Sequence, residues 1–373
     1  MISQNNVAAG YRAHKKLIDE AAARVLNSGW YILGKEVAAF EQQFADYVAV
    51  EGAVGVASGT DAVEVALRAC GIGAGDLVYT VSHTAVATVV GIERSGASAV
   101  LVDVDRDSFT MCPIRLEEAF LTAPQAAAGK PAAIVPVHLY GQMADMPAIV
   151  ELGRRHGLKV IEDCAQAHGA SIDGRRAGSW GDAAAFSFFP TKNLGAVGDA
   201  GAVLSNDKAV LEKAREIRQY GWRQRQVSSL RGINSRLDEL QAAVLGARLK
   251  VLEADNAGRR QAARDYDQGL ATLPLELPGA RRDAEHVYHQ YVVRVDDRDG
   301  LRAFLKDRSI ATAIHYPKAI HQQPAYAGQL AGSDRLPVTD ELIRKIVSLP
   351  MYPQLGGEDL RTIVTAIRDW ARW

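Results

Sequence analysis

Residues 183–204 read AAAFSFFPTKNLGAVGDAGAVL and decide the fold, because two apolar segments flank a glycine-rich turn. The segments, residues 183–188 and 201–204, have the composition of buried strands. A single lysine, Lys192, stands between them. Lysine is seldom buried unless it is paired or bound, because its charge is costly to remove from water. Lys192 is therefore either a reactive amine at a strand end or a surface residue in a glycine-rich turn.

The alternation of strand and helix patterns extends upstream from this stretch. Between about residue 54 and residue 205, short apolar segments alternate with amphipathic helical segments such as 61–70 and 146–156. The predicted strands are residues 54–57, 77–80, 99–102, 132–137, 159–161, 183–188 and 201–204. This order predicts the α/β class, with a mostly parallel sheet flanked by helices. The Ala/Pro-rich residues 122–131 predict a surface loop.

The pattern changes in the last third of the chain. Residues 235–263 predict one long helix, rich in Leu, Ala, Glu and Arg. Beyond it the sequence predicts a half-exposed strand, a helix, a short strand and a final helix, at residues 287–295, 301–307, 311–315 and close to Trp373. We expect two domains, a large one at 1–249 and a smaller C-terminal α+β domain at 250–373, with the long helix as connector.

The bulk composition excludes several classes of function. Apolar residues make up 48% and charged residues 23% of the 373 residues, as in ordinary folded soluble proteins. The formal net charge of −1 provides no overall field that would attract nucleic acid or a membrane, so we expect neither as a partner. Cys70, Cys112 and Cys164 lack CxxC spacing, which argues against disulfides and against a metal site. Because no signal peptide or membrane-spanning run is evident, we expect a cytoplasmic protein.

Two further motifs stand at predicted strand ends. Ser58-Gly59-Thr60 links a strand to a helix, where free N–H groups and the helix dipole can hold a phosphate. The alternative is that Ser58 or Thr60 is only an N-cap. Asp163 follows the strand at 159–161, where its carboxylate could pair with a protonated pyridine nitrogen or cap the next helix. Nearby, Gln166 and His168 could contact a ring hydroxyl or merely satisfy buried groups.

The order of these motifs is more informative than any one of them. A phosphate turn, a strand-end aspartate and a lysine 29 positions later (192 − 163) match the order that a pyridoxal phosphate (PLP) pocket requires on this fold. In an apolar site the pKa of Lys192 falls, and the neutral amine can form a Schiff base. Ser187 could donate to the phosphate. The absence of a GxGxxG motif after the first strand disfavours a nicotinamide dehydrogenase.

The chain resembles the DegT/DnrJ/StrS sugar aminotransferases, which are fold-type I PLP enzymes with the aspartate aminotransferase architecture. The likeness runs nearly end to end and is carried by ASGTDAVEVAL, VHLYGQMADM, VIEDCAQAHGA, FSFFPTKNLGAVGDAGAV, GINSRLDELQAAVL and IHYPKAIHQQPAY. It implies an enzyme of deoxyamino sugar biosynthesis. Such an enzyme would use pyridoxal 5'-phosphate to move an amino group from L-glutamate to a nucleotide-linked keto-sugar, leaving 2-oxoglutarate.

The resemblance also implies roles for individual residues. Lys192 would form the Schiff base and Asp163 would pair with the pyridine nitrogen. The other implied cofactor contacts are Gln166 at the ring oxygen and Gly59, Thr60 and Ser187 at the phosphate. Asn234 would reach the partner's phosphate across the interface of a homodimer with shared active sites. The residues implied on the sugar side are Phe189, His315, Tyr316 and His321, for which core or hinge packing is the alternative.

Two departures from the family pattern stand out. Many relatives stack an aromatic residue on the pyridine ring at the position of Ala85, so either His83 supplies a stacking imidazole or the stack comes from elsewhere. Residues 198–201 read GDAG where many members have Gly-Glu-Gly-Gly. The GDAG form looks like the branch that aminates C3 of dTDP-linked 6-deoxy-keto-hexoses.

Other functions remain open beside that interpretation. A 4-keto-sugar aminotransferase of the same family is one alternative. A PLP-dependent sugar dehydratase is disfavoured, because those relatives have histidine where Lys192 stands. A non-catalytic regulatory protein of the same fold has no need for Asp163, Lys192 and Ser187 together. Arg223, Arg225 and Arg231 either bind the nucleotide diphosphate or are solvated surface residues.

Overall fold

The computed structural model describes residues 1–126, 129–281 and 283–372. In these ranges the helices are α1 (Val7–Ala13), α2 (Lys15–Ser28), α3 (Lys35–Val48), α4 (Gly59–Ala69), α5 (Val86–Ser95), α6 (Pro113–Ala126), α7 (Met146–His156), α8 (Lys208–Ile217), α9 (Glu239–Leu249), α10 (Leu252–Leu270), α11 (Arg298–Asp307), α12 (Pro337–Lys345) and α13 (Gly357–Trp370). The strands are β1 (Gly52–Val56), β2 (Asp76–Val81), β3 (Ser98–Val102), β4 (Lys130–Val135), β5 (Lys159–Asp163), β6 (Ser171–Ile172), β7 (Arg175–Arg176), β8 (Ala183–Ser187), β9 (Gly201–Ser205), β10 (Trp222–Gln224), β11 (Val227–Ser228), β12 (Ala284–Glu285), β13 (Tyr291–Arg294) and β14 (Ile346–Leu349). Within the same ranges, every helix is too short or too polar to cross a lipid bilayer.

The seven predicted strands form one central sheet in the order β1-β9-β8-β5-β4-β2-β3. Strand β9 runs antiparallel to both of its neighbours, and the other adjacent pairs are parallel. Each predicted strand lies within two residues of its observed bounds. The mostly parallel sheet, the flanking helices and the α/β class are therefore confirmed.

Two apolar layers cover the sheet. Leu77 and Tyr79 of β2 pack on one face with Phe44 of α3, whereas Val78 packs on the other face with Ile92 of α5. Because successive side chains of a strand point to opposite faces, burial on both faces requires apolar residues throughout. This explains why each of these strands appears in the sequence as a short, continuous apolar segment.

The strand register gathers three motifs at one edge of the sheet. Val56 at the end of β1 and Ser187 at the end of β8 both pair with Gly201 on β9. Asp163 at the end of β5 pairs with Ala185 on β8. The carboxyl ends of β1, β5 and β8 therefore lie side by side, which is where open α/β sheets bind ligands.

The prediction of one long helix at 235–263 is wrong. Helix α9 ends at Leu249 and α10 begins at Leu252. Val251 between them has φ −116° and ψ 0°, and its N–H donates to the carbonyl of Arg248. Since α9 packs against α2 and α3 while α10 packs against α13, the break redirects the chain from one core to another.

Three other expectations were wrong in part. Only Tyr291–Arg294 of residues 287–295 forms a strand, and it is buried because β14 pairs with it. Residues 311–315 make a single bridge, between Ala313 and Ser348, instead of a strand. Residues 122–126 continue helix α6, residues 127–128 lie outside the described ranges, and β4 already begins at Lys130.

The C-terminal helices have a core of their own. Tyr266 of α10, Leu301 of α11 and Ile363 of α13 belong to an apolar cluster that also contains residues of β13 and β14. The predicted helices at 301–307 and near the C-terminus are confirmed as α11 and α13. The division into domains at 249 and 250 stays a prediction.

Candidate active site

The lysine turn, residues 188–200, connects β8 to β9, and Lys192 within it is half-buried. The backbone N–H of Lys192 donates to the carbonyl of Phe189 at 2.8 Å. Burial lowers the pKa of Lys192 to about 8, although the negative charge of Asp163 acts in the opposite direction. An amine with this pKa is partly neutral near neutral pH, so it can attack a carbonyl carbon or accept a proton.

Asp163 is a buried carboxylate within electrostatic range of that amine. Its side chain is 5% exposed, Oδ2 accepts from the hydroxyl of Thr88 at 2.9 Å, and Oδ1 accepts from the N–H of Ala165 at 3.1 Å. Residues 164–170 form turns, so the alternative that Asp163 caps a following helix is wrong. The two hydrogen bonds hold the carboxylate in place at the edge of the sheet.

Gln166 is held between two tyrosines beside this carboxylate. Its Oε1 accepts from the backbone N–H of Tyr140 at 2.8 Å, and its Nε2 donates to the hydroxyl of Tyr316 at 3.0 Å. Burial first, and the charge of Asp163 second, raise the pKa of Tyr316 to about 12. His168 instead packs on Phe186 and Phe188, and burial together with the charge of Lys192 lowers its pKa to about 3.

The predicted phosphate turn opens helix α4 against the end of β8. Ser58 is the N-cap, since its Oγ accepts from the N–H of Asp61 at 3.1 Å. A Cβ added at Gly59 would lie 2.4 Å from Cβ of Ser187, so only glycine permits this close approach. The first N–H groups of α4, where Thr60 is the second residue, therefore lie close enough to the hydroxyl of Ser187 to serve one anion.

His83 is enclosed by protein. It is 1% exposed, its Nε2 is 2.9 Å from the hydroxyl of Tyr140, and the rings of Phe109 and Tyr140 meet it edge to face. Burial lowers its pKa to about 4. No open face of the imidazole remains for a ligand in this structure, so its stacking role stays a prediction that the geometry does not favour.

The four residues expected on the sugar side differ in their surroundings. Phe189 is 47% exposed beside the lysine turn. His315 bonds to Ser348 at 2.8 Å, and burial followed by the charge of Lys192 lowers its pKa to about 4, which places it near the amine. His321 bonds to both Ser82 and Asp340, at 2.8 Å and 3.0 Å, so the packing alternative suits it best.

Asn234 lies exposed near the start of α4 of its own chain. The hydroxyl of the next residue, Ser235, donates to Asp61 at 2.7 Å. Of the three arginines considered for the nucleotide, Arg223 is already paired with Glu216 at 2.7 Å. The other two, Arg225 and Arg231, are exposed.

The sequence profile of the DegT/DnrJ/EryC1/StrS aminotransferase family matches residues 12–368. The chain belongs to this family. A curated relative of this DegT/DnrJ/EryC1/StrS aminotransferase is the dTDP-3-amino-3,4,6-trideoxy-alpha-D-glucose transaminase of Streptomyces venezuelae. It is 44% identical over 367 residues, which cover 98% of this chain and 95% of the relative.

Two further comparisons bear on the substrate and on the fold. The UDP-N-acetyl-3-dehydro-alpha-D-glucosamine 3-aminotransferase of Acidithiobacillus ferrooxidans is 44% identical over 345 residues, covering 92% of this chain and 91% of the relative. The crystal structure of S. venezuelae DesV in complex with a ketimine intermediate has a TM-score of 0.95 and 43% identity. It covers 100% of this chain and 99% of that one. The fold-type I architecture is thereby confirmed.

Members of this family are PLP-dependent enzymes, and the residues at the sheet edge fit that cofactor. The missing Cβ of Gly59 lets the start of α4 lie against Ser187, so that backbone N–H groups and a hydroxyl can hold one phosphate. The half-buried amine of Lys192 suits an aldehyde, and the buried carboxylate of Asp163 suits a protonated ring nitrogen.

Sequence reasoning missed several polar residues of the site. Thr88, which holds Asp163, and Tyr140, which holds Gln166, were not singled out. Neither was His289, whose Nδ1 is 3.1 Å from Oδ1 of Asn193. The signal available for Asn193 was its place directly after Lys192, whereas Thr88 and His289 carry no local motif.

One buried group within the described ranges has the composition of a metal site, namely His138, Glu162 and Cys164. The N–H of Ala144 donates to Nδ1 of His138, so Nε2 carries the proton that is donated to Glu162 at 3.0 Å. Glu162 also accepts three backbone N–H groups, from Gly178, Trp180 and Gly181. Because the imidazole has no free lone pair, this group is a hydrogen-bond network instead of a metal centre.

Proposed function

We propose that this aminotransferase moves an amino group from L-glutamate to C3 of a dTDP-linked 3-keto-6-deoxyhexose. The observation that carries the proposal is the partly buried Lys192, whose pKa burial lowers to about 8, within electrostatic range of the buried Asp163. The name of the S. venezuelae relative supports dTDP and position 3. The A. ferrooxidans relative makes a UDP-linked sugar the second candidate, and a 4-keto-sugar is the third.

In the proposed site each residue has one task. PLP, when bound, supplies a ring that accepts electrons from the carbon losing its proton. Gly59, Thr60 and Ser187 would hold the phosphate, Asp163 would keep the ring nitrogen protonated, and Gln166 would contact the ring oxygen. Asn234 completes the phosphate site from a second copy of the chain.

Lys192 is the group that moves the proton. Its neutral amine would take the proton from the α-carbon of the donor and pass it to the cofactor. In the second half of the reaction it would take that proton back and deliver it to C3 of the sugar. A base with a pKa of about 8 can both accept and release a proton near neutral pH. The charge of Lys192 contributes to the lowered pKa of His315, so this imidazole lies near the amine.

A second copy of the chain is proposed to cover an exposed apolar surface beside the site. Trp30, Tyr31 and Ile32 are exposed next to the start of α9, where Ile32 bridges to Asp238. Val197, exposed in the lysine turn, donates from its N–H to Gln241 of α9. Because this surface is continuous with the lysine turn, a homodimer would share its active sites.

Sedimentation of the purified protein should give a dimer, and a monomer at assay concentration would contradict the arrangement.

The proposed function is tested with purified protein, PLP and a panel of keto-sugars. PLP should produce a visible absorption band that borohydride bleaches. In a separate sample that has not been reduced, L-glutamate should convert the cofactor to pyridoxamine phosphate and release 2-oxoglutarate. A dehydratase would not respond to glutamate in this way. Lys192→Ala should abolish the band, whereas Lys208→Ala, at an exposed lysine paired with Glu51, should keep it.

The panel then assigns the substrate. The enzyme should aminate dTDP-linked 3-keto-6-deoxyhexoses faster than UDP- or GDP-linked and 4-keto analogues. A preference for a UDP-linked or a 4-keto-sugar would overturn the substrate assignment and leave the aminotransferase assignment intact. Absence of the visible band in PLP-saturated wild-type protein would overturn the role of Lys192.

A further inference from the structure

The residue after the lysine, Asn193, is fixed by a buried polar cluster. Its Nδ2 donates to Oδ1 of Asn256 at 2.8 Å and to the carbonyl of Val287 at 3.0 Å, and its Oδ1 is 3.1 Å from Nδ1 of His289. Asn193, Asn256 and His289 are each at most 7% exposed. Both amide hydrogens of Asn193 are therefore donated, and its Oδ1 has one partner.

The partners determine the direction of every hydrogen bond in the cluster. Both hydrogens of the Asn193 amide are donated, so its Oδ1 can only accept and His289 must carry its proton on Nδ1. Asn256 in turn donates from Nδ2 to the carbonyl of His168 at 2.9 Å. A flipped amide at Asn193 would lose the hydrogen bonds to Asn256 and Val287 and would place its oxygen against two acceptors, so the cluster favours one orientation.

The cluster joins the lysine turn to parts of the chain that are far away in sequence. Asn256 belongs to α10, and Val287 and His289 precede β13. Other contacts hold the same turn, since Gly195 accepts from Arg248 at 2.6 Å. The Asn193 contacts act on the residue directly after Lys192, and the carbonyl of Thr191 directly before it accepts from Asn5 at 3.4 Å. The Asn193 contacts therefore help to fix where the Cα and side chain of Lys192 begin.

We propose that His289 is a positioning residue for Lys192 and acts through the amide of Asn193. The inference rests on the proposed role of Lys192 as the amine that binds PLP. A lysine backbone released from this cluster would sample more orientations, and its amine would meet the aldehyde less often in a productive geometry. His289 also stays neutral, because burial, aided by the charges of Lys192 and Arg259, holds its pKa well below the usual value.

The matched control is His286, a second buried histidine three positions earlier. Its Nδ1 accepts from the N–H of Tyr288 and its ring stacks on Tyr288. Burial lowers its pKa to about 3. Loss of this imidazole removes a buried ring from the same segment and leaves the hydrogen bonds of Asn193 in place.

The experiment measures the rate at which PLP-free protein captures PLP covalently, from about pH 7 to about pH 10, with the melting temperature of each variant in parallel. His289→Leu should slow capture about tenfold, because the amide of Asn193 loses its donor. His289→Asn, which can place an amide N–H where Nδ1–H stood, should restore the rate to within about twofold. His286→Leu should lower the melting temperature and capture PLP at the wild-type rate.

Different results overturn different statements. If His289→Leu captures PLP at the wild-type rate, His289 does not position Lys192. The same conclusion follows if His286→Leu and His289→Leu slow the capture of PLP equally. A His289→Asn variant as slow as His289→Leu would also overturn the positioning role. If His289→Leu does not fold, Asn193→Asp replaces it. That change turns an oxygen towards two acceptors, so capture should slow, and an unchanged rate would overturn the proposal. Failure of the wild-type protein to capture PLP would instead overturn the proposed function.

Discussion

Glu162 and Asp163 are adjacent buried carboxylates on β5, yet they lie in two different regions of the molecule. Glu162 accepts three backbone N–H groups and the imidazole of His138. Asp163 accepts only two hydrogen bonds and lies within electrostatic range of the Lys192 amine. Because neighbouring strand residues point to opposite faces, one carboxylate stabilises a turn and the other faces the site. Burial alone therefore does not identify a functional carboxylate; its partners do.

The largest effect is expected at Asp163. Asp163→Asn should reduce kcat/KM about a thousandfold, because a neutral amide no longer stabilises a protonated ring nitrogen. The same change should move the pKa of Lys192 below about 8, since the charge of Asp163 raises it. Turnover with glutamate and the pH dependence of PLP capture measure the two effects. A pH midpoint of PLP capture that equals the wild-type value would contradict the electrostatic effect of Asp163 on Lys192.

Glu162→Gln should instead affect stability. The amide nitrogen of glutamine would face backbone N–H donors, so the free energy of unfolding should fall by about 3 kcal/mol. The pH midpoint of PLP capture should remain that of the wild-type protein. Chemical denaturation measures the free energy of unfolding. A Glu162→Gln variant that shifts the midpoint like Asp163→Asn would remove the distinction between the two regions.

Lys192→Met should stabilise the PLP-free protein by about 1–2 kcal/mol near neutral pH, because a half-buried charge is removed and solvent screens part of its cost. The pKa of Lys192 is lowered from 10.5 to about 8 by burial. The penalty is therefore fully present below about pH 8 and fades as the pH rises towards 10.5. Denaturation at several pH values tests this. A stability gain that does not depend on pH, or an equal gain in Lys208→Met, would contradict it.

The smallest effect is expected at Thr88. Thr88→Val keeps the shape and removes the hydrogen bond to Oδ2 of Asp163, so stability should fall by about 1 kcal/mol and kcat about fivefold. Thr88→Ser, which keeps the hydroxyl, should retain most of the wild-type stability and most of the wild-type kcat. Steady-state kinetics and thermal unfolding provide the comparison. Equal losses in the two variants would show that packing, and not the hydroxyl, matters at this position.

The sequence predicted the sheet well because its strands are apolar on both faces and end at recognisable turns. It predicted Asp163 and Lys192 from their place at strand ends. The break at Val251 was missed because no glycine or proline marks it and tertiary packing decides it. Thr88 and His289 were missed because their partners lie 75 and 96 positions away. Residues at such distances become neighbours only in the folded chain.

The most direct test of the account is to locate the covalent PLP label. PLP-loaded wild-type protein is reduced with borohydride and digested, and the modified peptide is identified by mass spectrometry. The account predicts one label, on Lys192, with a capture midpoint at about pH 8. A label on another lysine, or one spread over many exposed lysines, would contradict it.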